Sequence, residues 1–260
     1  MLFSGNKTCP MKVTIITVTK NSEKYLQTCI SSVQRQKYDN IEHIIIDGNS
    51  TDNTLSIIKR NEESLSAWIS EDDKGMYDAI NKGMKLATGD IIGVLNSDDM
   101  LENSRVISDI VEAFLENEVS VVYGDLKYVS QHDTKKVLRV WRGKSYSRNR
   151  FFSGWMPAHP TFYVKRNLVE EFGGYENHFN TAADYEFMTR YLFHHQVSAF
   201  YLKKFFVKMR AGGQSNATIM NRIRANRRDY LAMKKNKIPF PLLVSLLKPL
   251  SKIHQFYARA

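Results

Sequence analysis

Cysteine, proline and long apolar runs are all scarce in this 260-residue chain, and each scarcity closes off a class of protein. Two cysteines, Cys9 and Cys29, cannot build a disulfide framework, and Cys29 falls among the apolar positions of an expected helix, so a reducing compartment is the default. The first ten residues lack a basic stretch followed by an apolar one, so no secretory signal is expected and the chain reads as cytoplasmic. The stretch Ile238 to Leu247 is interrupted by Pro239 and Pro241 and falls well short of the roughly 18 residues a spanning helix needs. A P-loop, a GxGxxG turn and zinc-ligand spacings are all missing, which argues against a kinase, a dehydrogenase or a zinc enzyme. Internal repeats and low-complexity tracts are missing too.

Acid is scarce in one region only. From Lys203 onward fourteen Lys and Arg face a single acid, Asp229, a local charge of +13 that leaves −3 of the net +10 for residues 1–202. A basic tail of that kind calls for an anionic partner: lipid headgroups, nucleic acid or a polyanionic substrate.

What is present is a 43% apolar, 12% aromatic composition, ample for a packed core, in an alternating pattern of strands and helices. Val13 to Val18 is a β-branched run suited to a buried strand, and Leu26, Ile30 and Val33 follow at helical spacing. The pattern repeats as strand 41–46, helix 52–60, a short strand at Trp68 and Ile69, helix 76–87 and strand 91–95. A helix over 104–117 comes next, then strands 119–123, 126–130 and 136–141, and a basic loop from Arg142 to Arg150. Helix 182–194, strands at 199–201 and 205–209, and a basic helix over 218–235 complete the reading. Strands alternating with helices predict an α/β fold with a mixed, mainly parallel sheet and helices on both faces.

Two apolar strands end in aspartate: Ile44-Ile45-Ile46-Asp47, and the strand at 91–95 running into Asn96-Ser97-Asp98-Asp99. Ligands of open α/β sheets bind at the carboxyl ends of strands, so the two ends predict one polar crevice. After Asp47, Gly48 and Asn49 turn the chain, Ser50 or Thr51 caps the next helix and Asp52 complements its dipole, which accounts for everything but Asp47 itself. The adjacent acids Asp98 and Asp99 repel each other, and a hard divalent cation bridging to substrate phosphates is a common remedy; the plain alternative is a solvated turn. In SEDDKGMYDAINKG, Asp73 caps a helix while Asn81 and Lys82 lie one turn in, Lys82 being either solvated or a phosphate contact.

Taken together these segments resemble the inverting family 2 glycosyltransferases of the GT-A fold, of the kind that builds bacterial surface polysaccharides. VTIITVTKN, IIIDGNSTDNT, SEDDKGMYDAINKG and LNSDD come in that family's order, followed by PAHPTFYVKR, FGGYENHFNTAADYEFMTR and MRAGGQS, so the resemblance spans about residues 12–215. It implies a GT-A domain over 11–215, with a nucleotide-sugar half (11–100) and an acceptor half (101–215), and leaves 216–260 as a basic amphipathic helical tail. It further implies donor contacts from Thr17, Asp47 (to the base), Asp73, Asn81, Lys82, Asn96, Ser97, Asp99 and Arg210. Asp98 stands at the Asp-x-Asp position as ligand of Mn²⁺ or Mg²⁺, Asn96 replacing the first acid. Asp184 falls where the family carries its general base, although Ala183 replaces the acid that often precedes it. His159 and Trp155 fall on the acceptor side; for His159, held between prolines, a structural role is the plain alternative. The segment Arg210 to Ser215 is expected to close over the pyrophosphate, and Ala211 stands where some relatives carry a metal-binding histidine.

The implied reaction is inverting transfer of a hexosyl or N-acetylhexosaminyl unit from a nucleotide sugar, UDP-linked by preference, to a saccharide or lipid-linked acceptor in polysaccharide biosynthesis. A nucleotidyltransferase is the rival enzyme, and a nucleic-acid-binding protein acting through the basic tail is the rival of another class. The acidic first 202 residues argue against the latter. For the tail two readings stand: peripheral attachment to the anionic inner face of the cytoplasmic membrane, or packing of Leu242, Leu243, Leu246 and Leu247 on the domain or a second subunit.

Overall fold

The computed structural model describes residues 10–212 and 219–250. Its first half is four parallel strands in the order β3-β2-β1-β4, with β1 at Val13–Thr19, β2 at Ile41–Asp47, β3 at Ala67–Ser70 and β4 at Ile91–Val94. All seven residues of β1 are buried, because helices cover both faces of the sheet and a β-branched run packs well there. The crossovers are α1 (Leu26–Gln34), α2 (Thr54–Arg60) and α3 (Met76–Leu86). Strand alternation sorts the side chains: Ile16 and Val18 join Ile80 and Met84 of α3, while Val13 and Ile15 join Cys29 and Val33 of α1.

The second half makes the sheet mixed. After β5 (Met100–Leu101) and α4 (Val106–Asn117) come β6 (Val121–Val129), β7 (Val137–Trp141), β8 (Tyr163–Lys165), α5 (Arg166–Phe172), α6 (Ala183–Thr189) and β9 (Ala199–Arg210). Strand β8 lies antiparallel between β4 and β6, β9 runs parallel to β6, and β5 and β7 pair antiparallel with β9 and β6. The order is therefore β3-β2-β1-β4-β8-β6-β9-β5, with β7 on the outer part of β6.

Several expected boundaries move. The segments at 119–123 and 126–130 are one strand, β6, and those at 199–201 and 205–209 are one strand, β9. Gly124-Asp125 and Lys203-Lys204 interrupt the apolar pattern where the two strands shift register around Asp125, without breaking the pairing. The helix expected over 182–194 is α6 followed by a wider turn of π type at Arg190–His194. Part of the expected basic loop is a 3₁₀ turn at Arg148–Ser153. Neither Ser50 nor Thr51 caps α2: the helix starts after Asn53, and the Asp52 carboxylate before it accepts the Thr54 N–H at 2.9 Å.

Helices α7 (Ile219–Lys235) and α8 (Pro241–Leu250) fold back onto the second half. Ala232 and Met233 of α7, Ile238 in the turn and Val244 of α8 share one apolar cluster with Tyr185, Phe187 and Tyr191. Polar contacts fasten the pair to the domain and to each other, among them Lys235 with Glu176. Lys235 and Asn236 reach the buried Glu186 at 3.0 and 3.3 Å, Arg228 reaches Thr181 at 3.3 Å, and Lys248 pairs with Asp229 at 2.7 Å.

Candidate active site

The carboxyl ends of β1, β2 and β3 align in register: Thr19 pairs with Asp47, and Asp47 with Ser70. The β4 line continues past its end, Leu95 N–H donating to Ile16 O at 3.0 Å and Ser97 N–H to Val18 O at 3.3 Å. This brings Asn96-Ser97-Asp98-Asp99 beside the loop after β1, where the Ser97 and Ser22 hydroxyls lie 2.8 Å apart.

Asp47 is fully buried and held by its own turn and its neighbour strand. It accepts from the Ser50 N–H at 2.9 Å, the Ser50 hydroxyl, and the Ser70 hydroxyl at 2.7 Å. Gly48 follows because a Cβ there would fall on the Asp73 carboxylate, which folds against this turn and accepts the Gly75 N–H at 2.8 Å. Lys82 borders the same region, but its ammonium is held by Glu71 at 2.8 Å and by the Asp72 carbonyl at 2.7 Å, so a phosphate there would compete with Glu71.

The acidic pair at the end of β4 is strongly perturbed. Asp99 is completely buried; Oδ2 accepts from Asn96 at 3.1 Å, whereas Asp99 Oδ1 and Asn96 Oδ1 are buried with no protein partner. Burial, and then the Asp98 carboxylate, push the Asp99 pKa well above the usual carboxylate range, with Asn96 and Arg210 opposing. Burial raises Asp98 as well, again against Arg210. The Arg210 guanidinium donates to the Asp98 carbonyl at 2.5 Å and lies 4.7 Å from the Tyr25 ring. Orphaned hard oxygens beside crowded carboxyls are the donor set that suits Mg²⁺ or Mn²⁺, which complete their shells with phosphate and water. No group of three or more His, Cys, Asp or Glu poised for a metal occurs among the described residues.

Asp184 stands near the start of α6, its Oδ1 accepting the Tyr185 N–H at 2.7 Å. Around it is an aromatic wall that the sequence reading missed. Tyr175 stacks on Tyr77 at 5.3 Å and on Phe187 at 4.3 Å, and its hydroxyl meets His159 Nε2 at 2.6 Å. Burial first, and next the Asp184 carboxylate, raise the hydroxyls of both Tyr77 and Tyr175 well above the usual phenol range. Burial lowers His159 and Asp184 opposes it. On β6, burial raises the Tyr128 phenol, Arg139 opposes, and the carboxylates of Asp99 and Asp184 add to the rise. Tyr77 and Tyr175 lie in the motifs GMYDAINKG and FGGYENH, the one sequence signal that marks them.

Three expected contacts turn elsewhere. Thr17 lies on the α1 side of β1, fully buried, its hydroxyl 3.0 Å from His43 and 3.8 Å from Cys29, so it faces the core rather than the crevice. Asn81 spends both ends of its amide on the Tyr175 main chain, donating to the carbonyl and accepting from the N–H at 2.8 Å each; it ties α3 to the aromatic wall instead of facing a donor. Trp155 is buried edge-on against Phe151 and Tyr123, with its indole N–H lacking a protein partner. Of the segment expected to close over the site, residues 213–215 lie outside the described residues, as do Cys9 and residues 251–260 of the tail.

Residues 14–173 match the family model of glycosyl transferase family 2. An uncharacterized glycosyltransferase of Mycobacterium tuberculosis is 34% identical over 181 residues, 68% of each chain. A PGL/p-HBAD biosynthesis glycosyltransferase of Mycobacterium bovis is 30% identical over 180 residues, again 68% of each. Among solved structures, S. aureus TarS aligns with a TM-score of 0.65 at 19% identity, over 86% of this chain but only 39% of TarS. A shorter form of TarS in complex with UDP-GlcNAc gives 0.64 at 18% identity over 88% of this chain and 73% of that one. The mannosyltransferase PcManGT of Pyrobaculum calidifontis, in complex with GDP-Man and Mn²⁺, gives 0.64 at 18% identity over 95% and 72%.

Proposed function

The chain belongs to glycosyl transferase family 2 and has the mixed α/β GT-A fold, and from that premise we propose that it transfers a sugar from a nucleotide-diphosphate donor with inversion. The sugar is a hexosyl or N-acetylhexosaminyl unit, UDP-linked first among the donors, and the acceptor is a hydroxyl of a saccharide or lipid-linked saccharide in polysaccharide assembly. Membership of that family favours sugar transfer over the nucleotidyltransferase reading.

One observation carries the reading: the buried Asp99 oxygen without a protein partner, beside Asp98 at the end of β4. In this reading Asp98, seconded by Asp99, holds Mn²⁺ or Mg²⁺, which when bound offsets the charge of the leaving diphosphate. Asp47 orients the base through whatever lone pairs its turn leaves open, and Asn96 and Ser97 meet the ribose. Asp73, Lys82 and Arg210 line the diphosphate side. Arg210 keeps a fixed positive charge at the acids without needing to move, since the Asp98 carbonyl and the Tyr25 ring already orient it. Asp184 takes the proton of the acceptor hydroxyl as that oxygen attacks the anomeric carbon from the face opposite the diphosphate. His159 and Tyr175 form the wall against which the acceptor lies, with Trp155 behind. A lipid-linked acceptor would bring the enzyme to the inner face of the cytoplasmic membrane.

The test is a screen of UDP-, GDP- and dTDP-linked sugars with and without Mn²⁺ or Mg²⁺, followed by NMR of the product. The expected result is metal-dependent release of a nucleoside diphosphate and a product anomer opposite to the donor's. Retention of configuration would overturn the single displacement.

A further inference from the structure

Helix α8 is inside out for a surface helix. Its inward side carries Val244, Ser245 and Lys248, all buried, while Leu242, Leu243, Leu246 and Leu247 are exposed at 65, 56, 58 and 37%. At 100° per residue these leucines fill a continuous arc of the outer surface, and Phe240, just before the helix, is 78% exposed. Five of the eleven exposed large apolar side chains among the described residues fall within these eight positions, a concentration that scattered surface leucines do not produce. The helix cannot roll to hide them. Lys248 is tied to Asp229 at 2.7 Å and lies 3.5 Å from the Tyr185 ring, and Val244 sits in the main apolar cluster.

The charge beside this arc indicates what covers it. Arg227 and Lys234 of α7 and Lys237 in the turn are exposed, whereas Lys235 is drawn inward by Glu176 and Glu186. Residues 216–260 hold ten Lys and Arg against one acid, Asp229, and that acid is engaged by Lys248. A second copy of the chain would bring an equally basic surface against this one. An anionic bilayer offers both an apolar interior for the leucines and phosphate charge for the lysines. No helix among the described residues is long and apolar enough to cross a membrane, so the contact is with one leaflet.

We propose that the outward face of α8, with Phe240 and the basic residues of α7 and the turn, is a docking surface for an anionic lipid bilayer. It deepens the lipid-linked reading of the acceptor, yet it is tested without donor or acceptor, so either can fail while the other stands. The inner side of the same helix pair braces α6, which carries Asp184, through Glu186 and Tyr185. The acceptor half is thereby held at a fixed attitude to the membrane.

The experiment is flotation of the full chain with vesicles of phosphatidylcholine alone or mixed with phosphatidylglycerol. Binding should require phosphatidylglycerol and weaken as salt is raised. Leu243→Gln with Leu247→Gln should lower the partition by about tenfold or more while leaving the melting temperature near wild type, since both side chains already face water. Lys234→Gln with Lys237→Gln, which touches no apolar group, should lower it by roughly tenfold at low salt. Undiminished vesicle binding by the leucine variant would overturn the proposal. So would failure of the intact chain to bind, together with light scattering showing a dimer that the leucine variant dissolves. Binding to nucleic acid in place of vesicles, insensitive to the leucine changes, would overturn it equally.

Discussion

Replacing Glu186 with alanine probes how the helix bearing Asp184 is held. The carboxylate is wholly buried and accepts from Arg190 at 3.1 Å, Lys235 at 3.0 Å and Asn236 at 3.3 Å. Removing one partner of a buried ion pair costs about 3–5 kcal/mol, mostly the penalty of leaving the other charge uncompensated. The stranded charge is Arg190, which is buried but keeps the carbonyls of Phe172, Gly173 and Gly174, so the lower end, about 3 kcal/mol, applies. Lys235 adds little, because a pair with a 39% exposed ammonium is worth under about 1 kcal/mol. For a chain of this size about 3 kcal/mol lowers the melting temperature by roughly 6–12 °C. Thermal and urea melts of Glu186→Ala and Lys235→Ala measure it. The reasoning is refuted if Glu186→Ala loses less than about 1 kcal/mol, or if Lys235→Ala loses as much as Glu186→Ala.

Three further outcomes follow from the geometry. Thr17→Val should leave nucleotide affinity unchanged and cost about 1–3 kcal/mol of stability, because it strips a buried partner from His43; a large loss of UDP binding in calorimetry would return Thr17 to the crevice. Acid should destabilise the fold in two stages seen in melts against pH. Burial lowers His43 from 6.5 to about 4, so its contribution is complete above the ordinary value and is lost as pH falls toward 4. Hydrogen bonds from Thr14, Thr88 and Lys12 outweigh burial and lower Glu42 from 4.5 to about 2, so its contribution fades between those values, and Glu42→Gln should abolish that lower stage. Asp184→Asn should depress turnover by about 10²–10⁴-fold with donor affinity near wild type; equal losses in both would make Asp184 a binding or structural residue.

How far the chain could be read before folding depended on the range of the interactions. The parallel half was legible because β-branched runs and helical spacing are local signals, and the strand ends carrying Asp47 and Asp98 followed from them. Strands β6 and β9 were each read as two pieces because Gly124-Asp125 and Lys203-Lys204 interrupt an apolar pattern that pairing with the neighbouring strand overrides. Asn81 looked like a ligand because nothing local reveals that its partner is Tyr175, ninety-four residues away. Thr17 misled for a related reason: strand alternation puts it on the α1 face, and only the approach of His43 and Cys29 gives its hydroxyl a use there. The hydrophobicity of α8 was visible, but not which side of the helix would be turned to water.

In the proposed reading Asp98 and Asp99 are the place where a metal and a nucleoside diphosphate meet. Calorimetric titration of UDP in the presence and absence of Mn²⁺, into the wild-type chain and into Asp98→Ala, tests this directly. Saturable binding that requires the metal, and that disappears in a variant whose melting temperature is unchanged, is the predicted result. Equal affinity in the two proteins would contradict it.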